Sequence, residues 1–283
     1  MRPALLLMAC DMFEGSILKA VRPAVGIEVF HNFTLMHDDI MDNAPLRRGK
    51  ATVHEKWNNS IAILSGDVML VKAYELIMEV DDSILRKVLQ IFNDTATGVC
   101  EGQQIDMNFE ALGAVTVSEY LEMIRLKTAV LLGGSLKIGA LIGNASEEDA
   151  NNLYRFGENL GQAFQLQDDI LDVYGDPEKF GKQVGGDIIA NKKTYLLIKA
   201  LELAENLDKE ELNYWLRSEN PQTEEKVKAV TAIYNRLGVR HLAEEQMNTF
   251  AERALSALEK TSVASEKKQS LRVFAEELLV REN

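Results

Sequence analysis

Residues 25–51 read VGIEVFHNFTLMHDDIMDNAPLRRGKA, and the order of residue types in this stretch decides the fold class. Its apolar residues recur at helical spacing up to Asp42, without the strict alternation of a half-buried strand. Asn43-Ala44-Pro45 then breaks the helix, because the ring of Pro45 pushes Ala44 out of the helical region. Pro23, just upstream, suits the first turn of that helix. The basic run LRRGKA that follows is read as a loop.

Working outward, the same periodicity runs almost from end to end. Residues 3–20 are apolar on most sides and predict a buried helix. Another helix is expected over about 60–79. Asp81 or Ser83 can cap the next, which reaches about 108. Ser118-Glu119 opens a long helix through 141, ended by Gly143-Asn144. Ser146 and three following acidic residues open another, which runs to Tyr174 and stops at Gly175-Asp176-Pro177. A glycine-rich loop, FGKQVGGD, spans 180–187, and shorter, more charged helices fill 191–283. No linker or repeat divides the chain, so one all-α domain over 1–283 is expected.

Composition narrows the class of function. The 283 residues are 46% hydrophobic and 27% charged, which is ordinary for a globular protein with a sizeable core. Apolar runs such as IAIL at 61–64 fall far short of the roughly 20 residues needed to span a bilayer. A net charge of −13 argues against nucleic acid as a partner. Basic residues nevertheless sit in short clusters, Arg47-Arg48 and Lys192-Lys193, beside acidic motifs. Cys10 and Cys100 are too few and too far apart for a disulfide framework, and a reducing cytoplasm fits.

One motif occurs twice: Asp38-Asp39-Ile40-Met41-Asp42 and Asp168-Asp169-Ile170-Leu171-Asp172. Aspartate is a poor helix former, like charges at i, i+4 repel, and carboxylates near a helix C-terminus oppose its dipole. Local stability gains nothing from either copy, so a compensating cation is implied. The first and last carboxylates of each copy lie on one helix face, a single turn apart. That spacing can hold a hard cation such as Mg²⁺, which accepts one or two protein carboxylates alongside waters and substrate phosphates. Two such turns facing each other across a cavity would make a site for a metal-bridged diphosphate. Asp81-Asp82, a pair without the third member, is a plain helix start by comparison.

The stretch HDDIMDNAPLRRGKATVHEKW at 37–57 closely resembles the first aspartate-rich motif of the trans-isoprenyl diphosphate synthases. QLQDDILDVYGD at 165–176, then FGKQVGGDI and NKKT, resembles the second motif with its lysine loop, and Lys127-Thr128 stands where that family has a lysine-threonine pair. The resemblance covers about residues 2–280. It implies a bundle of ten or more antiparallel helices around a deep central cavity, usually in a homodimer. It also implies that isopentenyl diphosphate is joined to an allylic diphosphate with Mg²⁺, three ions accompanying the bound diphosphate. Asp38, Asp42 and Asp168 would be the principal metal ligands, supported by Asp39, Asp169 and Asp172. Arg47, Lys127, Lys182 and Lys192 would contact the allylic diphosphate. Gln165 and Thr128 would place oxygens near the developing allylic cation. Arg48 and His31 would contact isopentenyl diphosphate, as would Arg2, which matches the family's arginine-proline pair. His31 lies seven residues before Asp38, on nearly the same helix face. His37, His54 and His241 are read as structural or surface residues.

Family members normally carry a glycine-glycine-lysine-arginine run before that arginine-proline pair, whereas this chain begins Met1-Arg2-Pro3. The expectation is that a short N-terminal helix is lacking through truncation. Phe33, five residues before Asp38, resembles the floor that limits the growing tail, with the small Thr34 beside it. The combination looks most like a geranylgeranyl diphosphate synthase, with farnesyl diphosphate synthase as the near alternative. Competing readings are a class I terpene cyclase and a noncatalytic, diphosphate-binding subunit of a heteromeric synthase.

Overall fold

The computed structural model describes residues 1–176, 184–218 and 223–279. In chain order the elements are α1 (Arg2–Met12), α2 (Ile17–Met41), β1 (Leu46–Arg47), β2 (Lys50–Ala51), α3 (Val53–Lys56), α4 (Asn59–Ile77) and α5 (Asp82–Ala111). There follow α6 (Val117–Ile124), a π-helical turn (Arg125–Ala129), α7 (Val130–Ile142), α8 (Glu147–Tyr174) and α9 (Gly186–Ile189). The last are α10 (Tyr195–Leu203), α11 (Asn206–Arg217), α12 (Thr223–Leu237), α13 (Val239–Glu259) and α14 (Ser265–Leu279). The fold is all-α. Among the described residues the strands are confined to one two-stranded hairpin, and no helix is long and apolar enough to cross a membrane.

The chain forms two compact units, one of residues 1–97, 131–157 and 257–271, the other of 98–130, 158–256 and 272–283. In the first unit α2 packs against α1 and α4. Its core holds Leu5, Leu6, Ile27, Phe30, Ile77 and Phe92, all fully buried. Phe92 meets the edges of Phe30 and Tyr74 at ring-centroid distances of 5.1 and 4.9 Å, a T-shaped geometry that aromatic quadrupoles favour.

Several details differ from the sequence expectation. The helix expected over 3–20 is broken after Met12, where Glu14 takes a left-handed φ of 60° and Gly15 N–H closes back onto the Cys10 carbonyl at 3.0 Å. The end of that segment is also not buried, since Leu18 projects into solvent. Pro23 lies inside α2 rather than in its first turn. It forfeits one helix hydrogen bond, and the helix continues because Pro23 is itself buried in the packing of α2. The basic stretch is a tight hairpin, with Leu46 paired to Ala51 and Arg47 to Lys50. Its two turn residues, Arg48 and Gly49, have φ of 53° and 73°, the positive values a two-residue type I′ turn requires.

The second unit is built on Ile124, Leu166, Leu196, Leu212, Ile233 and Tyr234, all but fully buried. Its helix α6 is capped two residues earlier than expected. Thr116, not Ser118, is the cap: its hydroxyl accepts from Glu119 N–H at 3.2 Å, while the Glu119 carboxylate accepts from Thr116 N–H at 2.8 Å. This is a capping box. The helix is also not continuous through 141, because one π turn over Arg125–Ala129 inserts an extra residue into it.

Candidate active site

In the first unit the first aspartate motif forms the C-terminal turn of α2. Asn43, with φ of 48°, follows the end of the helix, so that Asn43 N–H reaches the Ile40 carbonyl and Ala44 N–H the Asp39 carbonyl at 2.9 Å. This double closure fixes the backbone beneath the carboxylates. Asp38 is half-buried and Asp42 exposed, whereas Asp39 is buried and takes two bonds from Arg47, at 2.7 Å from Nε and 2.6 Å from a terminal nitrogen. The hairpin therefore anchors Arg47 on the middle carboxylate of the motif.

A cationic cluster faces the same helix. His31 is held at a pKa of about 3, first by desolvation and then by the charges of Arg2, Arg48 and Arg47. Burial lowers Arg2 to about 10, partly offset by Glu28. Among the described residues, Arg2 Nε and Glu28 Oε2 are buried without a hydrogen-bond partner. A buried guanidinium nitrogen left unpaired costs about 1–3 kcal/mol, which an anion accepted there would recover. The structure thus brings Arg2, His31 and Arg48 together. Phe33 and Thr34 are both buried. The Thr34 hydroxyl donates back to the His31 carbonyl at 2.8 Å, and Phe33 packs between Phe30 and His37. His37 bonds the Ile63 carbonyl at 3.2 Å, and His54 is buried.

In the second unit the second motif ends α8. A chain of hydrogen bonds runs through it: the Thr128 hydroxyl donates to Gln165 Oε1 at 3.2 Å, Gln165 Nε2 donates to Asp169 Oδ1 at 3.3 Å, and the buried Tyr120 hydroxyl donates to Asp169 Oδ2. Lys127 reaches Asp106 on α5 at 2.5 Å. Lys127 and Thr128 both belong to the π turn, the kind of local irregularity that often marks functional positions. Asp172 binds the turn that opens α9: its carbonyl accepts from Gly185 N–H at 2.6 Å and its Oδ2 from Asp187 N–H at 2.9 Å. Lys192 lies 3.9 Å from Asp187. Asp106, Tyr120, Lys127, Gln165, Asp169 and Lys192 line a cavity of about 40 Å³.

The electrostatics of this cluster are acidic. Burial, then Asp187, push Asp169 up to about 7 against the opposing pull of Lys192. Burial raises Asp187 to about 6, with Asp172, Asp168 and Asp106 adding to the rise and Lys192 opposing it. Burial and Asp169 raise the Tyr120 phenol as well. Carboxyls whose pKa values are raised by burial, and further by neighbouring carboxylates, are an oxygen donor set suited to a hard divalent cation, so the residues fit Mg²⁺. Among the described residues no three acidic, His or Cys side chains are grouped to hold a metal by themselves. Asp106, Tyr120 and Asp187 were not anticipated from sequence. The available signal was Asp106 four residues after Gly102, one helical turn along the same face. Lys182 lies outside the described residues.

The class defined by this fold is an all-helical one with an aspartate-rich helix end in each compact unit and cationic side chains beside it. The family described as Polyprenyl synthetase matches residues 1–234, and the chain belongs to that family of prenyltransferase enzymes. It is 45% identical over 211 residues to the geranylgeranyl diphosphate synthase of Methanosarcina mazei, a match covering 74% of this chain and 65% of that enzyme, just under two thirds of its length. It is 38% identical to the short chain isoprenyl diphosphate synthase of Methanothermobacter thermautotrophicus, across 100% of this chain and 86% of the relative. A crystal structure of a geranylgeranyl pyrophosphate synthase superposes with a TM-score of 0.94 at 44% identity, covering 100% of this chain and 87% of the other.

Proposed function

We propose that the chain is a single catalytic domain that condenses isopentenyl diphosphate with an allylic diphosphate to give geranylgeranyl diphosphate. The observation that carries this reading is that both aspartate motifs persist in a member of the family, each with cationic side chains beside it. Asp38, Asp42 and Asp168 would hold Mg²⁺, three ions with the bound diphosphate, and Asp39, Asp169 and Asp172 would support them. The metal supplies neutralisation of the charge that builds on the departing diphosphate.

The remaining work falls to the side chains. Arg47, Lys127 and Lys192, joined by Lys182, bind the allylic diphosphate and stabilise its negative charge as the C–O bond breaks. Gln165 Oε1 and the Thr128 hydroxyl present oxygens to the allylic cation. Arg2, His31 and Arg48 bind isopentenyl diphosphate, whose double bond attacks that cation before a proton is lost. A neutral His31 donates one N–H, and the two guanidiniums carry the charge. Phe33 closes the floor under the growing tail, and the similarity to geranylgeranyl diphosphate synthases favours a twenty-carbon product. The enzyme works as a cytoplasmic homodimer.

The test is to incubate the protein with Mg²⁺, isopentenyl diphosphate and farnesyl diphosphate, then size the products. A twenty-carbon diphosphate is expected. Arrest at fifteen carbons from geranyl diphosphate would make it a farnesyl diphosphate synthase. Cyclic hydrocarbon without isopentenyl consumption would make it a cyclase, and binding without turnover a noncatalytic subunit. Asp168→Asn, which keeps the shape and removes the charge, is expected to lower kcat by about 100-fold or more, with a higher Mg²⁺ concentration needed for half-maximal rate.

A further inference from the structure

The turn from Gly185 to Lys192 carries Lys192 into the acidic pocket, with Asp187 3.9 Å from its ammonium, yet it is not held from the pocket side alone. Behind it lies α12, and on α12 sits Lys226, only 2% exposed. Its ammonium donates to the Ile189 carbonyl at 3.1 Å and to Asn191 Oδ1 at 2.7 Å. Among the described residues no carboxylate pairs with it, and desolvation lowers its pKa. The Asn191 amide is held from its other end too, donating through Nδ2 to the Leu216 carbonyl at 3.1 Å. Asn191 itself has a left-handed φ of 52°, so the backbone reverses at this residue immediately before Lys192.

A second observation places α12 directly against the turn. Gly185 has φ of 85°, and a Cβ added there would stand 2.7 Å from both γ-methyls of Val227, the neighbour of Lys226. The turn rests on α12 with no room for a side chain between them. An unpaired buried ammonium is poor for stability, since an apolar side chain of similar volume would avoid its desolvation. What it supplies is a fixed position for one carbonyl and one amide. Those two groups orient the peptide that leads into Lys192.

We propose that Lys226 is a positioning residue for allylic diphosphate binding, acting through Asn191 on Lys192. This rests on the reading of Lys192 as a contact of the allylic diphosphate. Lys226 does not touch substrate. It sets where the Lys192 side chain starts, and the restraint also reaches Asp187, whose carbonyl accepts from Lys192 N–H at 2.9 Å.

The experiment is a double-mutant cycle in the full chain, read by steady-state kinetics and thermal unfolding. Lys226→Met keeps the volume and removes both bonds. It is expected to raise the KM for the allylic diphosphate by about tenfold, as loss of an outer supporting residue typically does, with the KM for isopentenyl diphosphate unchanged and the melting temperature not lowered in parallel. In a Lys192→Ala background the same change should raise the allylic KM no further, because the residue it positions is gone. Asn191→Gly, which retains the left-handed backbone and removes the amide, gives the same allylic effect should Lys226→Met not fold. If Lys192→Ala raises the allylic KM while Lys226→Met and Asn191→Gly leave it unchanged, or add fully to Lys192→Ala, the positioning role is wrong. If Lys192→Ala itself leaves the allylic KM unchanged, the assignment of Lys192 fails first, and the proposal falls with it.

Discussion

At the scale of single residues, two side chains of α2 make separate predictions. His31 is kept neutral by desolvation and by three arginines, with a pKa near 3 against an ordinary 6.5. Between those values the unfolded chain binds the proton and the folded one does not. His31 therefore contributes stability that is complete above pH 6.5 and is lost as the pH falls toward 3. An NMR titration of His31 should show no midpoint between pH 5 and 8, and adding isopentenyl diphosphate should move the midpoint upward because an anion favours the imidazolium. A midpoint near 6.5 without ligand would mean that the ring is neither desolvated nor surrounded by the arginines. Phe33 is buried between Phe30 and His37, so Phe33→Ala opens space along the same face of α2. The expected result is longer products at a cost of about 3 kcal/mol in stability, and an unchanged product chromatogram rejects Phe33 as the floor. The aspartates, Arg47 and Gln165 were legible because each lies in a quotable motif. Lys226 was not. In TEEKVKAV it reads as part of a solvated charged face, and its burial follows from α12 lying against a turn some 35 residues upstream in the chain.

At the scale of elements, the π turn is the feature that periodicity could not reveal. The apolar pattern over 118–141 fits a continuous helix, and although one inserted residue turns the phase by about 100°, the segment after it is apolar on nearly every side and does not register the shift. Its consequences are local. The turn presents Lys127 to Asp106 and Thr128 to Gln165. It also lets α5 come so close that a Cβ on Gly102 would lie 2.3 Å from the Lys127 backbone nitrogen. Backbone cannot give way as a side-chain tip can. Gly102→Ala is therefore expected to destabilise the fold by about 1–3 kcal/mol and to raise the allylic KM, because either α5 or the turn must shift. A variant with unchanged melting temperature and unchanged kinetics would show that α5 does not hold the turn in place. The helix ends, in contrast, were largely readable. Asn144 and the Ser146 cap stand where sequence put them, since both depend on chemistry within four residues.

At the scale of the whole molecule, the first unit leaves apolar surface that its own core does not use. On α4 the side chains of Leu64, Val68 and Val71, at i, i+4 and i+7, are 65%, 59% and 58% exposed. Leu18, Val21 and Val25 form a similar stripe on α2, the helix packed against α4. Single exposed apolar residues are ordinary, but three aligned along one helix make a strip that water wets poorly. Such a face suits a second copy of the same chain, because a two-fold interface needs one self-complementary patch. The net charge of −13 would oppose association through a charged surface, so an apolar patch is where two copies would meet at least electrostatic cost. Sedimentation equilibrium at micromolar concentration should give twice the 31.7 kDa chain mass. Leu64→Glu combined with Val68→Glu should return it to a folded monomer, since both side chains already point to solvent and the core is untouched. If the unaltered protein sediments at the mass of one chain, the apolar face has another purpose and the dimer is excluded.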